Sequence, residues 1–356
     1  MIETFLKKGL IKIIYAIKNL TMFNNKNILI TGGTGSFGQK FVRKLVEKYK
    51  PKKLIVYSRD EYKQFLMEKE FSQKKFPFMR FFLGDVRDLN RLEMAMKETD
   101  YVVHAAALKH VPAAEYNPME FVKTNINGAE NVIRAAISQK VQKIIALSTD
   151  KAANPMNLYG ATKLASDKIF VAANNIVGAQ KTCFSIVRYG NVAGSRGSVV
   201  QVFNDILKQK GNFLPITDKR MTRFWITLDE GVNFVIKTFS RMTGGEIYVP
   251  KIPSIRITDL AKAMAPKLKT KLIGIRGGEK LHEMMCPNES HYLTLDFKDH
   301  FVIFPSPDYF DKKVSFIKNL KGEKGYKVSN NFEYSSDTNE KFLSVKEIAA
   351  LNNKIS

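Results

Sequence analysis

Residues 27–49 read NILITGGTGSFGQKFVRKLVEKY. NILIT (27–31) is a short continuous apolar run, the pattern of a strand buried on both faces. It runs directly into Gly32-Gly33-Thr34-Gly35-Ser36-Phe37-Gly38, after which FVRKLVEKY takes up helical spacing. Glycines at a strand-to-helix turn let the backbone come close to a phosphate. The helix N-terminus adds N–H donors and positive potential. The spacing is GxxGxxG rather than the commoner GxGxxG, so its meaning rests on the strand before it and the helix after it. Gly32, Thr34, Gly35, Ser36, Phe37 and Gly38 are therefore expected to line a dinucleotide, with a plain glycine-rich turn as the competing reading.

The alternation continues downstream. Strands are expected at KLIVY (53–57), FMRFFLGDV (78–86), YVVHAAA (101–107), KIIALS (143–148) and FSIVRYGN (184–191), with helices at 88–99, 125–138 and 159–174. Strand–helix repetition of this kind implies an α/β protein, a Rossmann-type doubly wound parallel sheet covered on both faces. After Asn191 the texture changes. Residues 192–225 read as loop-rich, followed by a helix (228–240), a strand (GEIYVP, 245–250), a helix (257–264) and IGIRGGEKLHEMM (273–285). The division this suggests is a dinucleotide-binding domain over 23–191 and a smaller C-terminal substrate-binding lobe over 192–310, interleaved with the last sheet strands. A partly ordered surface tail then covers 311–356. Residues 1–22 carry apolar residues broken by Lys7, Lys8, Lys12 and Lys18, too short a core for a signal peptide. They read as a dispensable extension, with a basic amphipathic helix at a membrane surface as the alternative.

Composition narrows the function classes. At 356 residues and 44% hydrophobic the chain can bury a large core, and its two cysteines, Cys183 and Cys286, argue for a reducing compartment, the cytoplasm. Neither CxxC nor HExxH occurs, so no metal is expected. The net charge of +23 (57 basic, 34 acidic residues) is spread along the chain rather than gathered in runs. That distribution argues against nucleic acid and suits anionic small molecules. No uninterrupted apolar span of about 18 residues is present, so no transmembrane segment is expected.

Four places carry chemistry. At the end of the second strand, Ser58, Arg59 and Lys63 suit a 2′-phosphate, favouring NADP over NAD. Asp60 leaves this open to a solvated charge cluster. Asp85 and Val86 in GDV suit an adenine edge, although Asp85 or Asp88 can equally cap a helix. Ala105 and Ala106 are small enough for a cofactor to lie against the backbone. The fourth place is Ser148-Thr149-Asp150-Lys151 followed by Tyr159 and Lys163. Tyr and Lys at i and i+4 share a helix face, and an ammonium beside a phenol is expected to lower the phenol's pKa. Lys163 can also hold the nicotinamide ribose, and Thr149 can bond the same substrate hydroxyl as Tyr159.

TGGTGSFG, GDV, HAAA and YGATK together resemble the extended short-chain dehydrogenases/reductases, over about residues 26–310. An alcohol oxidoreductase needs only the Thr, Tyr and Lys. An acid and an amine added at Asp150-Lys151 suit a second proton-transfer task, such as loss of water across C5–C6 of a hexose. Oxidising C4 acidifies the C5 hydrogen, a base removes it, an acid protonates the leaving 6-hydroxyl, and the hydride returns to C6. LSTDKAANPMNLYGATK (147–163), AAALKHVPAAEYNP (105–118), VRYGNVAGSRGSV (187–199) and MTRFWIT (221–227) resemble the soluble inverting UDP-N-acetylglucosamine 4,6-dehydratases.

That resemblance implies the product UDP-2-acetamido-2,6-dideoxy-β-L-arabino-hex-4-ulose, the first step to pseudaminic acid or a related surface sugar. It implies tightly bound, recycled NADP and a homo-oligomer. It assigns Tyr159 as C4 base, Lys151 as C5 base and Asp150 as acid, and leaves open which of the last two reprotonates C5. It places Lys109 at both cofactor and substrate and Val192 at the cofactor. Asn191, Arg196, Gly197, Ser198, Val199 and Val200 fall on the sugar nucleotide, and Arg276 on its diphosphate or ribose. Gly277 departs from the family's usual Pro, and a surface ion pair with Glu279 is the other reading of Arg276. The rival functions are a UDP-sugar 4-epimerase, a capsule-type dehydratase/epimerase and a non-catalytic NADP(H)-binding module.

Overall fold

The computed structural model describes residues 21–195, 197–310 and 314–355. Most of the expected N-terminal extension, and Arg196, lie outside the described residues. Six parallel strands follow from the apolar runs: β1 (Asn27–Thr31), β2 (Lys53–Ser58), β3 (Met79–Leu83), β4 (Tyr101–His104), β5 (Lys143–Thr149) and β6 (Cys183–Tyr189). Their order is β3-β2-β1-β4-β5-β6. Ile247–Pro250 adds parallel to β6, and His300–Ile303, Thr294–Asp296 and Tyr326–Lys327 extend the sheet antiparallel. The order reverses direction between β1 and β4, and a ligand crevice opens at the strand C-termini of such a switch point.

Alternate residues of each strand feed separate cores on the two faces. Ile28, Ile30, Val56 and Val103 pack with Phe41 and Phe239 on one side. Leu29, Ile55, Val102 and Ile144 pack with Val132 and Phe170 on the other. A third core gathers Val200, Phe203, Leu214, Trp225, Ile255, Leu260 and Ile348. Among the described residues no helix is long and apolar enough to cross a membrane.

Two expectations need correction. The stretch 192–225 is not mainly loop: it holds the helix Val199–Lys208 and the strands Phe213–Ile216 and Thr222–Ile226. Val199, Val200, Phe203, Ile206 and Leu207 follow helical spacing and supply part of the third core, a pattern masked by the glycines on either side. Nor is the tail a surface appendage. Tyr334–Ser335 pairs antiparallel with Met284–Cys286, and the Tyr334 ring lies 4.7 Å from Phe224 and 5.0 Å from Phe301. The Tyr334 hydroxyl donates to the Ile252 carbonyl at 2.8 Å and accepts from the Ile252 amide at 2.9 Å. Both aromatic packing and polar satisfaction therefore fix the tail to the body.

His104 ends β4 wholly buried, its Nδ1 2.8 Å from Thr31 Oγ1 on β1. Burial, with Lys163 nearby, depresses its pKa from 6.5 to about 3. The unfolded chain therefore binds a proton that the native chain refuses. The stability at stake is present above pH 6.5 and is lost as pH falls toward the folded value. Urea unfolding between about pH 6 and 5 should show stability falling more steeply in the wild type than in His104→Gln. The difference in slope should approach about 1.4 kcal/mol per pH unit. Equal slopes would mean that His104 is protonated in the fold.

Candidate active site

β5 delivers Thr149 to the crevice, and the chain then tightens into the 3₁₀ turn Asp150–Ala152. Thr149 Oγ1 organises this turn, accepting from the Lys151 amide at 3.3 Å and donating to Asp150 Oδ1 at 2.9 Å. The helix Leu158–Ala172 begins at Asn157, whose Oδ1 accepts the Gly160 amide at 2.8 Å. A Cβ at Gly160 would overlap the Lys151 carbonyl oxygen, so only glycine allows the first helical turn to press against the 3₁₀ turn. That contact places Tyr159 beside Thr149 and Lys151.

The electrostatics differ from the sequence expectation. Burial pushes the Tyr159 phenol up to about 12, only partly offset by the Lys151 charge and a hydrogen bond with Thr149. Lys163 is turned to the end of β5. Its ammonium donates to the Leu147 carbonyl at 2.8 Å, and burial lowers its own pKa against the pull of Asp167. The shared helix face is real, one Lys163 donor is committed to the end of β5, and the cation that most lowers the phenol is Lys151.

Lys151 Nζ lies 3.1 Å from Asp150 Oδ1 and 3.0 Å from Glu283 Oε1. Arg223 Nε stands 3.7 Å from the same Glu283 oxygen. Asp150 and Glu283 are only 1% and 2% exposed, so each carboxylate has lost its water. Burial raises the Asp150 carboxyl, Lys151 lowers it, and the Glu283 charge raises it further, for a net upward shift. Burial also works to raise Glu283, but Lys151 and Arg223 outweigh it and hold that carboxyl below its usual value. For Lys151, burial favours the amine, yet the two carboxylates prevail and keep it charged. Asp150 Oδ2 and Glu283 Oε2 have no hydrogen-bond partner among the described residues. Behind this cluster Asp167 accepts from Ser148 Oγ at 2.7 Å and from Arg188 Nη2 at 3.1 Å. Arg188 Nη1 reaches the Met285 carbonyl at 2.9 Å, tying β5, β6 and the segment carrying Glu283 together.

The glycine-rich turn forms a cradle of bare backbone. Gly32 has φ +64°, and a Cβ on it would stand 2.8 Å from the Ala106 amide nitrogen. A Cβ at Gly38 would overlap the Gly33 carbonyl oxygen. Gly32, Gly35, Ser36 and Gly38 therefore lie at the start of the helix Ser36–Lys48 with Ala105 and Ala106 against them, an arrangement that fits a pyrophosphate. Phe37 stacks against Tyr189 at the end of β6, with centroids 6.5 Å apart.

At the end of β2 the expected phosphate pocket is partly occupied by the protein itself. Ser58 is buried, with Oγ 2.7 Å from Thr34 Oγ1. Asp60 caps the helix Glu61–Glu70 through the Lys63 amide, and its carboxylate pairs with the Lys63 ammonium. Arg59 is more than half exposed and 3.7 Å from Asp85. Burial opposes ionisation of Asp85, but Arg87 at 2.8 Å, with Arg59 beyond, holds it below its ordinary value. Asp88, not Asp85, caps the following helix. Val86 is buried against Gly128.

The expected substrate residues are less concentrated. Asn191 and Val192 pair with Trp225 and Ile226, and Asn191 Oδ1 is buried with no hydrogen-bond partner among the described residues. The exposed Gly197 donates its amide to Gln201 Oε1 at 2.8 Å, and Ser198 and Val199 lead into the helix Val199–Lys208. Val200 points into the third core and is a packing residue. Lys109 is exposed on the segment after β4. Arg276, 68% exposed, pairs with Glu279 (Nε to Oε1 2.9 Å), the alternative reading of that residue. Its loop is nevertheless anchored at the site, because Asn157 Nδ2 donates to the Gly278 carbonyl at 2.8 Å. Glu283 and Arg223 are the residues that sequence reasoning did not single out. Each sits in a quoted motif, but nothing local shows that they converge on Lys151.

Residues 28–305 match the family described as polysaccharide biosynthesis protein. A UDP-N-acetylglucosamine 4,6-dehydratase (inverting) of Campylobacter jejuni is 59% identical over 332 residues, covering 93% of this chain and 98% of that protein. A UDP-glucose 4-epimerase of Rickettsia canadensis is 42% identical over 79% of this chain and 84% of its own length. Among solved structures, Pen from Bacillus thuringiensis superposes with a TM-score of 0.83 at 37% identity, covering 94% of this chain and 99% of that one.

Proposed function

The chain belongs to the polysaccharide biosynthesis family of extended short-chain dehydrogenases/reductases, and from that premise we propose that it is an NADP-dependent UDP-N-acetylglucosamine 4,6-dehydratase that inverts C5. The observation that carries this reading is the Asp150–Lys151–Glu283 cluster set against Tyr159. Reversible oxidation at C4, all that a 4-epimerase requires, has no use for it. The inverting dehydratase of Campylobacter jejuni, at 59% identity, supports the same choice.

The backbone of Gly32–Gly38 and the small Ala105 and Ala106 would hold the dinucleotide, with Lys163 at the nicotinamide ribose and Asp85 and Val86 toward the adenine. Arg59 carries the exposed cation for a 2′-phosphate, since Ser58 and Lys63 are already bonded within the protein. The chemistry such a cofactor supplies is reversible hydride acceptance, from C4 and back to C6. Tyr159 takes the proton of the C4 hydroxyl, which Thr149 helps to orient. A phenol held near 12 is protonated at rest, so its own proton must first leave to solvent before the phenolate can take that of the alcohol. Asp150, whose proton affinity burial raises, protonates the departing 6-hydroxyl. Lys151 takes the C5 proton. At rest it is an ammonium, so it first passes its proton to the Asp150 carboxylate at 3.1 Å, one transfer that leaves Lys151 as the base and Asp150 as the acid. The lobe formed from 192–310, with Asn191, Gly197, Ser198 and Arg276, receives the sugar nucleotide. In this reading the enzyme works in the cytoplasm as a homo-oligomer and opens a route to pseudaminic acid or a related surface sugar.

Incubating the purified chain with UDP-N-acetylglucosamine, with no cofactor added, should give a 4-keto-6-deoxy sugar by NMR. UDP-N-acetylgalactosamine would select the epimerase instead, and no turnover would favour a binding module. Binding measured by titration should respond to Arg59→Ala with a loss for NADP of about 1.5–3 kcal/mol, the worth of a charged hydrogen bond, and little change for NAD. Equal weakening of both would remove the 2′-phosphate assignment.

A further inference from the structure

Glu283 neither takes nor gives a proton in the dehydratase reading, yet both its backbone and its side chain are fixed in the site. It enters on the segment before Met284–Cys286, and the tail clamps its backbone. The Glu283 amide donates to Ser336 Oγ at 2.9 Å, and the Ser336 amide donates back to the Glu283 carbonyl at 2.8 Å. Ser336 is wholly buried and its Oγ lies 2.7 Å from Thr222 Oγ1, next to Arg223 in sequence. The side chain then crosses to Lys151. A surface carboxylate needs no such support, and a buried one that merely balanced Arg223 would sit nearer to it than 3.7 Å.

We propose that Glu283 is a positioning residue of the elimination step, holding Lys151 between two carboxylates and, with Arg223 behind it, leaving Asp150 as the carboxylate to which the Lys151 proton passes. The proposal rests on the dehydratase reading above. Its logic is charge counting. Asp150 and Glu283 share the Lys151 ammonium, and Arg223 supplies a second cation to Glu283 alone. Arg223 breaks the tie. It helps hold the Glu283 carboxyl below its usual value while that of Asp150 is raised, so Asp150 is the better acceptor of the Lys151 proton. The second oxygen of Asp150 has no hydrogen-bond partner among the described residues. Glu283 thus arms a neighbour without touching the sugar. The other charged or titratable groups facing the cluster are Lys280, whose ammonium donates to the Ala153 carbonyl at 2.6 Å, Arg188, Asp167 and Tyr159.

Removing the Glu283 charge makes Asp150 and Lys151 both easier to deprotonate, because its field raises the proton affinity of each. The expected result for Glu283→Gln in the full-length holoenzyme is therefore a bell-shaped kcat profile whose two limbs both move to lower pH. At neutral pH kcat should fall by about 100-fold, within the range for loss of acid–base function, with KM for UDP-N-acetylglucosamine nearly unchanged. Reduced nicotinamide should still form on mixing, and solvent deuterium incorporation at C5 should fall in step with kcat. Glu283→Asp keeps the charge and should restore the limb positions while recovering only part of kcat. It also serves alone if the glutamine variant does not fold, the decisive readouts then being unchanged limbs and a kcat loss confined to elimination. Wild-type limbs in Glu283→Gln, or equal loss of oxidation and elimination in either variant, would overturn the proposal. If the wild type yields no 4-keto-6-deoxy product, the dehydratase reading itself fails, and the wild-type arm separates that outcome from failure of the Glu283 role.

Discussion

One ammonium between two buried carboxylates is the constraint around which the site is assembled. Lys151 meets Asp150 at 3.1 Å and Glu283 at 3.0 Å in a space where both acids have lost water. Desolvating each ion costs several kcal/mol, and only close, well-directed partners offset it. The surroundings supply them. Thr149 donates to Asp150, Arg223 stands behind Glu283, and the tail residue Ser336 fixes the backbone from which Glu283 projects. Four parts of the chain far apart in sequence must meet for the cluster to exist. This explains why the tail is integrated with the body instead of lying on its surface.

The sheet contributes precision of another kind. Gly32 and Gly38 allow backbone to approach backbone, and Gly160 lets a helix press onto the 3₁₀ turn. Each is a place where a single methyl group would force the structure apart. The result is a close-packed set of turns at the strand ends beside the switch point between β1 and β4. The phenol is held neutral by burial, against the simpler picture of a lysine-activated tyrosinate.

Much of this could be read from residue patterns. Continuous apolar runs such as NILIT and KLIVY marked the parallel strands, and the glycine turn, Ala105-Ala106 and the Tyr159/Lys163 pair fell where the motifs indicated. What escaped was whatever depends on long-range convergence. Nothing local distinguishes Glu283 from a solvated glutamate, and only folding shows that Arg223 turns toward it. At the end of β2 the sequence shows which charges are present but not their bonding: Ser58, Asp60 and Lys63 are bonded to Thr34, a helix start and each other. The helix Val199–Lys208 was hidden for a simpler reason: glycine-rich flanks outweighed a short amphipathic pattern.

If the Lys151 cluster performs elimination and Tyr159 performs oxidation, the two steps must separate when Lys151 alone is disabled. The direct measurement is rapid mixing of Lys151→Met with UDP-N-acetylglucosamine in deuterated water, following reduced-nicotinamide absorbance and C5 labelling together. The account predicts that absorbance rises and persists while C5 stays unlabelled and no 6-deoxy sugar appears. Normal labelling of C5 in that variant would contradict it and would move the base from Lys151 to Asp150.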